Sequence, residues 1–159
     1  PIPGMDSACR ARIASGARLL ERFLEARDLK HPPRLALAGL NPHLGDDGLA
    51  GDEDQQLIAP AAEALRAEGL DLTGPVSPDS VFWQASRGAY DGVLALYHDQ
   101  AMIPVKLLDF DHTVNVTVGL PYWRLSPDHG LAYDLAWKGE ARAESCLEAF
   151  YLGFELIGG

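Results

Sequence analysis

Two short apolar runs, Arg34 to Leu40 (RLALAGL) and Val93 to Tyr97 (VLALY), limit what this chain can fold into more than any other feature. A strand open to water on one face alternates apolar with polar residues. A nearly unbroken apolar run of strand length is instead covered on both faces, as in parallel sheets packed between helices. Each run then breaks into polar sequence bearing an imidazole, Asn41-Pro42-His43 after the first and His98-Asp99-Gln100 after the second. Open α/β sheets bind ligands beyond the carboxyl ends of their strands. His43 and His98 are therefore the first residues to weigh as a site.

Around these runs the spacing is mostly helical. Ile13, Ala17, Leu20 and Leu24 recur among charged residues and predict an amphipathic helix that Lys30-His31-Pro32-Pro33 stops. The glycine- and aspartate-rich stretch from Asn41 to Gly51 is a loop able to approach a ligand closely. Asp54 to Glu68 reads as helix, with Pro60 marking a kink or a start. Leu70 to Val76 reads as a strand ending at Ser77-Pro78-Asp79, and Ser80 to Arg87 as a helical turn. His98 to Leu108 is expected to be helical only in part, because Pro104 interrupts it. Val114 to Val118 alternates strictly, with Asn115 and Thr117 on the face opposite the valines. A long loop with Gly119, Pro121, Pro127 and Gly130 should follow, then helices over Leu131 to Lys138 and Ala141 to Ile157. The last should bury a stripe of Cys146, Leu147, Phe150, Tyr151, Phe154 and Ile157. Strands alternating with helices give an α/β layer with a mainly parallel sheet.

Composition narrows the functional classes. The chain has 159 residues, 47% of them hydrophobic, enough for one substantial core. Against 13 Lys and Arg stand 23 Asp and Glu, a formal charge of −10 that repels nucleic acid and anionic membranes, and no basic patch offsets it. Two distant cysteines, Cys9 and Cys146, fit a reducing compartment and exclude a disulfide-stapled scaffold, so a cytoplasmic protein is expected. No apolar run approaches the length of a membrane span, and Pro1-Ile2-Pro3-Gly4 is no secretory leader.

Taken alone, His31 beside two prolines and His112 beside Asp111 read as ordinary surface or hydrogen-bonded histidines. His43 and His98 differ in following strands, and imidazole is a common metal ligand. Their wide separation lacks the fixed spacing of a zinc motif, so the residues by themselves leave metal ligation and an ordinary polar role equally open. Lys106 and Arg124 are by default solvated cations, yet in so acidic a chain they could bind a carboxylate or phosphate beside Asn115. No G-x-G-x-x-G follows a strand, which counts against an ordinary Rossmann dehydrogenase.

Four blocks carry a more specific signal: Leu40-Asn41-Pro42-His43-x-Gly45, Tyr97-His98-Asp99-Gln100, Val114-Asn115-Val116-Thr117-Val118-Gly119-Leu120-Pro121 and Arg124-x-Ser126-x-Asp128-His129-Gly130. In order and spacing they resemble the 4-hydroxythreonine-4-phosphate dehydrogenase family of vitamin B6 biosynthesis. Over essentially its whole length the chain looks like the C-terminal half of such a protein. The resemblance implies an isocitrate/isopropylmalate dehydrogenase-like layered α/β fold, with residues 31–159 forming one lobe, its mainly parallel sheet flanked by helices, and residues 1–30 forming a connecting helix.

It also implies a divalent metal (zinc, magnesium, manganese or cobalt) held by three histidines drawn from both subunits of a homodimer. His43 and His98 match two of them, and the third is expected ahead of Pro1. Lys106, Asn115 and Arg124 match the family's substrate-binding residues, for a small anionic substrate. Lys106 is expected to manage the proton or hold the acidic substrate, Asn115 to orient a substrate oxygen and Arg124 to anchor an anionic group. Asp99 is expected either to hydrogen-bond a ligand histidine or to lie as a solvated turn carboxylate. The stretch from Asp128 to Ala136 is similar to the loop holding the adenosine part of NAD or NADP, which assigns His129, Gly130 and Asp134 to the cofactor. Trp137 stands where that loop has glycine, Asp46 and Asp47 stand for Glu-Gly, and Leu125 and Pro127 replace Thr and Val, as in a divergent branch.

The implied activity is metal- and NAD(P)-dependent oxidation, with decarboxylation, of a small phosphorylated or carboxylated hydroxy acid. Two other classes compete with it. One is a metal-dependent hydrolase or lyase using His43, His98 and Asp99 on a water; the other is a non-catalytic remnant that keeps the fold without a full pocket.

Overall fold

The computed structural model describes residues 5–130 and 133–158, apart from the side chains of Met5, Asp6 and Asp134. The chain divides into two compact units, Pro1–Ala101 and Met102–Gly159.

In the first unit, helix α1 (Met5–Glu25) leads to strand β1 (Leu35–Ala38), and a π-type turn (Asp54–Ile58) runs into helix α2 (Ala59–Ala67). Strand β2 (Leu72–Val76), helix α3 (Val81–Ser86) and strand β3 (Gly92–Leu94) follow. The sheet order is β2-β1-β3 with both pairings parallel, so β1 is central. All of β1 is buried, as its unbroken apolar run predicts. Leu35 and Leu37 point to a core shared with Ile13, Ala17 and Leu24 of α1, Ile58, and Ala61, Ala62 and Leu65 of α2. The alternate residues Ala36 and Ala38 face Val81 of α3, with Phe82, Tyr90 and Val93 packed around them. An α/β layer with a parallel sheet flanked by helices is thus observed.

Pro60 follows directly on the π-type turn, in the first turn of α2, where its missing N–H interrupts the ladder at the change from π to α pairing. At the amino end of the sheet Asp91 clasps β1 to the segment before β3. It accepts the Arg34 main-chain N–H at 2.8 Å and the guanidinium at 2.9 and 3.1 Å. This holds its carboxyl down to about 2. His31 stands 3.7 Å from the same carboxylate, the ordinary polar role the sequence suggests.

Helix α4 (His98–Leu108) runs through Pro104 without a break, contrary to the expectation of a partial helix. A proline removes one hydrogen bond but its fixed φ is helical, and the remaining turns carry the element. Among the residues of the second unit, strands β4 (Val114–Thr117) and β5 (Arg124–Pro127) form an antiparallel pair, and helix α5 (Glu144–Gly158) packs on it. β5 was expected to be loop. Its sequence Arg-Leu-Ser-Pro has one aliphatic residue and ends in proline, so pairing with β4 rather than its own pattern makes it a strand.

The expected helix over Leu131 to Lys138 is corrected to a single 3-10 turn, Tyr133–Leu135, while Leu131 and Ala132 lie outside the described residues. Trp137 turns the chain with a left-handed φ of 65°. The expected buried stripe of α5 is also corrected. Leu147, Phe150, Tyr151, Phe154 and Ile157 are exposed; Ser145 is buried, Cys146, Ala149, Leu152 and Leu156 are half-buried, and Gly153 faces Leu125. His112 pairs with Asp109 at 2.9 Å, which raises the imidazole's affinity for a proton. Among the described residues no helix is long and apolar enough to cross a membrane.

Candidate functional site

Because β1, β2 and β3 are parallel, their carboxyl ends share one edge. The segments leaving that edge are Asn41-Pro42-His43, Ser77-Pro78-Asp79 and Tyr97-His98-Asp99. Both histidines singled out from the sequence are thus brought to the same edge, on adjacent strands. Asp79 is a carboxylate that sequence reasoning read only as a strand stop; its signal was its place directly after an apolar strand.

His43 is exposed in a 3-10 turn, Pro42–Gly45. It has φ 50°, and Leu44, Asp46 and Asp47 follow at 59°, 48° and 55°. For L-residues this left-handed region costs roughly 1–2 kcal/mol each, so other contacts must hold it. Leu44 N–H donates to Asn41 at 3.2 Å, and Gly48 and Ala50 N–H both donate to the Gly45 carbonyl at 2.9 Å. A Cβ on Gly45 would stand 2.2 Å from the carbonyl oxygen of Gly51, so only glycine lets the loop close on itself. The Asn41 amide donates to Glu53 at 2.7 Å and holds that carboxyl below its usual range. Strained backbone held this firmly concentrates at functional sites.

His98 opens α4, and its Nδ1 lies 2.8 Å from Asp99 Oδ1, with both side chains open to solvent. An N–H donated there leaves Nε2 free as a lone-pair donor. Among the described residues no group of three or more His, Cys, Asp and Glu side chains is placed to hold a metal ion. The donors that the sequence singles out at this sheet edge are two imidazoles, His43 and His98, a ligand type that divalent transition-metal ions accept.

The remaining candidates lie in the second unit. Lys106, in the last turn of α4, forms an ion pair with Asp128 at 2.8 Å, donates to the Asp128 carbonyl, and stands over the Phe110 ring. Asp128 is held in turn by the buried Ser145, whose hydroxyl accepts the Asp128 N–H at 3.0 Å and donates to the Thr113 carbonyl at 2.5 Å. Asp128 belongs to the Arg124-x-Ser126-x-Asp128 block, but nothing in the spacing marks it as the partner of Lys106.

In the hairpin Asn115 opposes Ser126 and Thr117 opposes Arg124. Directly opposite residues share a face, so Asn115 and Arg124 lie on one face, away from Leu125 and the α5 side. The Arg124 guanidinium donates to Thr117 Oγ1 at 3.0 Å, which leaves most of its fork open. His129 is exposed with Nδ1 2.9 Å from the Gly130 carbonyl, and both residues line a hollow of about 300 Å³ with Phe110, Leu135 and Arg142. Arg142 pairs with Asp111 at 2.6 Å beside it. The side chain of Asp134 lies outside the described residues.

Residues 6–153 match the family model described as pyridoxal phosphate biosynthetic protein PdxA. A D-threonate 4-phosphate dehydrogenase of Pectobacterium atrosepticum is 45% identical over 152 residues, covering 96% of this chain and 46% of the relative. A 4-hydroxythreonine-4-phosphate dehydrogenase of Methylorubrum populi is 51% identical over 151 residues, covering 95% and 43%. The crystal structure of 4-hydroxythreonine-4-phosphate dehydrogenase from Klebsiella pneumoniae superposes with a TM-score of 0.83 at 46% identity, over 94% of this chain and 45% of that one. The chain spans less than half the length of these relatives.

Proposed function

The chain belongs to the PdxA family of pyridoxal phosphate biosynthetic proteins, and from that premise we propose that it carries residues of an NAD(P)-dependent dehydrogenase. Its substrate is a small phosphorylated or carboxylated hydroxy acid, oxidised with loss of carbon dioxide. The observation that carries this reading is the position of His43 and His98, just beyond the carboxyl ends of two hydrogen-bonded parallel strands. The similarity to proteins named as dehydrogenases of phosphorylated threonine derivatives supports it.

Two neutral imidazoles suit a divalent ion such as zinc, cobalt, manganese or magnesium, with a further ligand from outside these residues. Held by His43 and His98, such an ion would supply Lewis acidity to the reacting hydroxy acid. Asp99 holds Nδ1 of His98 and so leaves Nε2 as the nitrogen that would ligate such an ion. Lys106, steered by Asp128, handles the proton at the reacting oxygen or holds the acid group. Arg124 presents its open fork to the phosphate or carboxylate, and Asn115, on the same hairpin face, orients a substrate oxygen. His129, Gly130 and Asp134 hold the adenosine part of NAD or NADP.

On this reading residues 31–159 form one lobe of an isocitrate/isopropylmalate dehydrogenase-like layered fold, residues 1–30 form its connecting helix, and the complete protein works as a cytoplasmic homodimer with a shared site. The test is to supply the complete protein carrying this chain with NAD or NADP and either D-threonate 4-phosphate or 4-hydroxythreonine 4-phosphate. Reduced nicotinamide forms with at least one of them or of their dephosphorylated counterparts; no reduction with any of the four contradicts the reading.

A further inference from the structure

Asp54 and Gln100 are two of the three buried polar side chains among the described residues, 1% and 7% exposed, and both act on the same short piece of main chain. β1 ends at Ala38; the Gly39 N–H still donates to the Val76 carbonyl of β2 at 2.8 Å, and from the Gly39 carbonyl onward side chains take over the main-chain groups. Asp54 accepts the Leu40 N–H with Oδ1 and the Asn41 N–H with Oδ2, each at 2.7 Å. Gln100 donates from Nε2 to the Gly39 carbonyl at 2.6 Å and accepts the Leu96 N–H at 2.7 Å. The amide of Gln100 thus bridges the end of β1 to the segment leaving β3. Gly39 makes room for this arrangement, since a Cβ there would stand 3.1 Å from Asp54 Oδ1 and 2.3 Å from Leu44.

Burying a carboxylate is costly unless charge-assisted hydrogen bonds repay its lost hydration. Both oxygens of Asp54 are spent on peptide groups immediately before Asn41-Pro42-His43. Gln100 lies two residues beyond His98 in the first turn of α4. Each buried side chain therefore fixes the main chain beside one strand-end histidine, and Gln100 couples the two segments.

We propose that Asp54 and Gln100 are positioning residues that set the separation and aim of His43 and His98 for a divalent cation. The proposal rests on the metal reading given above. Neither side chain touches the ion. Asp54 braces the strained His43 loop, and Gln100 fixes its register against the His98 turn.

The test uses the complete protein, freed of metal and titrated with Co²⁺ by calorimetry and by visible absorption. The thermal midpoint of the metal-free protein is followed in parallel. Asp54→Asn and Gln100→Glu lower Co²⁺ affinity about tenfold or more and shift the cobalt absorption bands. Asp91→Asn, at the opposite end of the same sheet, lowers the midpoint and leaves affinity and bands unchanged. Should Asp54→Asn fail to fold, Gln100→Glu carries the test, because it keeps an acceptor for the Leu96 N–H and replaces the donor to the Gly39 carbonyl with a carboxylate oxygen that repels it. Midpoints that fall while affinity and bands stay at wild-type values overturn the proposal and leave these residues purely structural. Wild-type protein that takes up no Co²⁺, or His43→Ala protein that binds it undiminished, overturns the metal reading and the positioning role together.

Discussion

The ammonium of Lys106 lies 2.8 Å from Oδ2 of Asp128, and the main chain of Asp128 is pinned by the buried hydroxyl of Ser145. A residue near the end of a helix is thereby tied to the residue that follows a strand, whose carboxylate and carbonyl both accept from its ammonium. A positioned group that moves a proton contributes roughly 10²–10⁴-fold to rate. Lys106→Ala is expected to lower kcat by about a hundredfold or more while KM changes less. Steady-state kinetics with the phosphorylated substrate check this, and an unchanged kcat removes Lys106 from the chemistry.

Arg124 and Asn115 share a hairpin face, and the Arg124 guanidinium donates to Thr117 Oγ1 through one of its nitrogens. A charge-assisted hydrogen bond contributes about 1.5–3 kcal/mol, so Arg124→Ala should raise KM by about ten- to a hundredfold. Arg124→Lys should recover only part of the loss, since an ammonium has no planar fork. Substrate affinity of both variants is the readout; wild-type affinity in Arg124→Ala places the anion elsewhere.

These contacts show which parts of the molecule were legible in the sequence. The presence of β1 and β3 was, because a nearly unbroken apolar run states a covered strand; their ends were not, since β1 stops at Ala38 and β3 at Leu94, short of Leu40 and Tyr97 where the runs end. Asn115 was read correctly as facing away from the valines, from alternation alone. β5 was not legible, because Arg-Leu-Ser-Pro becomes a strand only through its partner. The aromatic residues of α5 have helical spacing whether they meet this chain or face solvent, so periodicity could not tell which. Asp54 looks like any acidic residue at the start of a helix, and its burial depends on where β1 ends, which is a tertiary fact.

The Arg34–Asp91 clasp makes stability depend on pH. The Asp91 carboxyl is held at about 2, chiefly by the Arg34 hydrogen bonds. A carboxyl depressed in the folded state gives stability that is fully present above its ordinary range and is lost as pH falls through the folded value. Acid unfolding of the wild type should therefore include a loss that continues down to about 2. Asp91→Asn should lack that component and be less stable at neutral pH by about 2 kcal/mol. Denaturant midpoints measured across the acid range check both, and parallel pH profiles for the two proteins contradict the assignment.

Trp137 is fully exposed and carries a φ of 65° directly after the turn that follows His129 and Gly130. A bulky L-residue there costs about 1–2 kcal/mol relative to glycine. Trp137→Gly is expected to raise the thermal midpoint slightly and to tighten NAD or NADP binding. Calorimetric titration of the dinucleotide decides it; weaker binding in the variant means that the indole itself contacts the cofactor.

The central claim is that this chain takes part in moving a hydride from a phosphorylated hydroxy acid to a nicotinamide. The most direct measurement is a turnover of the complete protein with substrate deuterated at its carbinol carbon, with the reduced nicotinamide and the released carbon dioxide both analysed. The account predicts deuterium in the reduced nicotinamide ring and loss of both products in His43→Ala and His98→Ala. Turnover without deuterium transfer, or transfer undiminished in the two histidine variants, would contradict it.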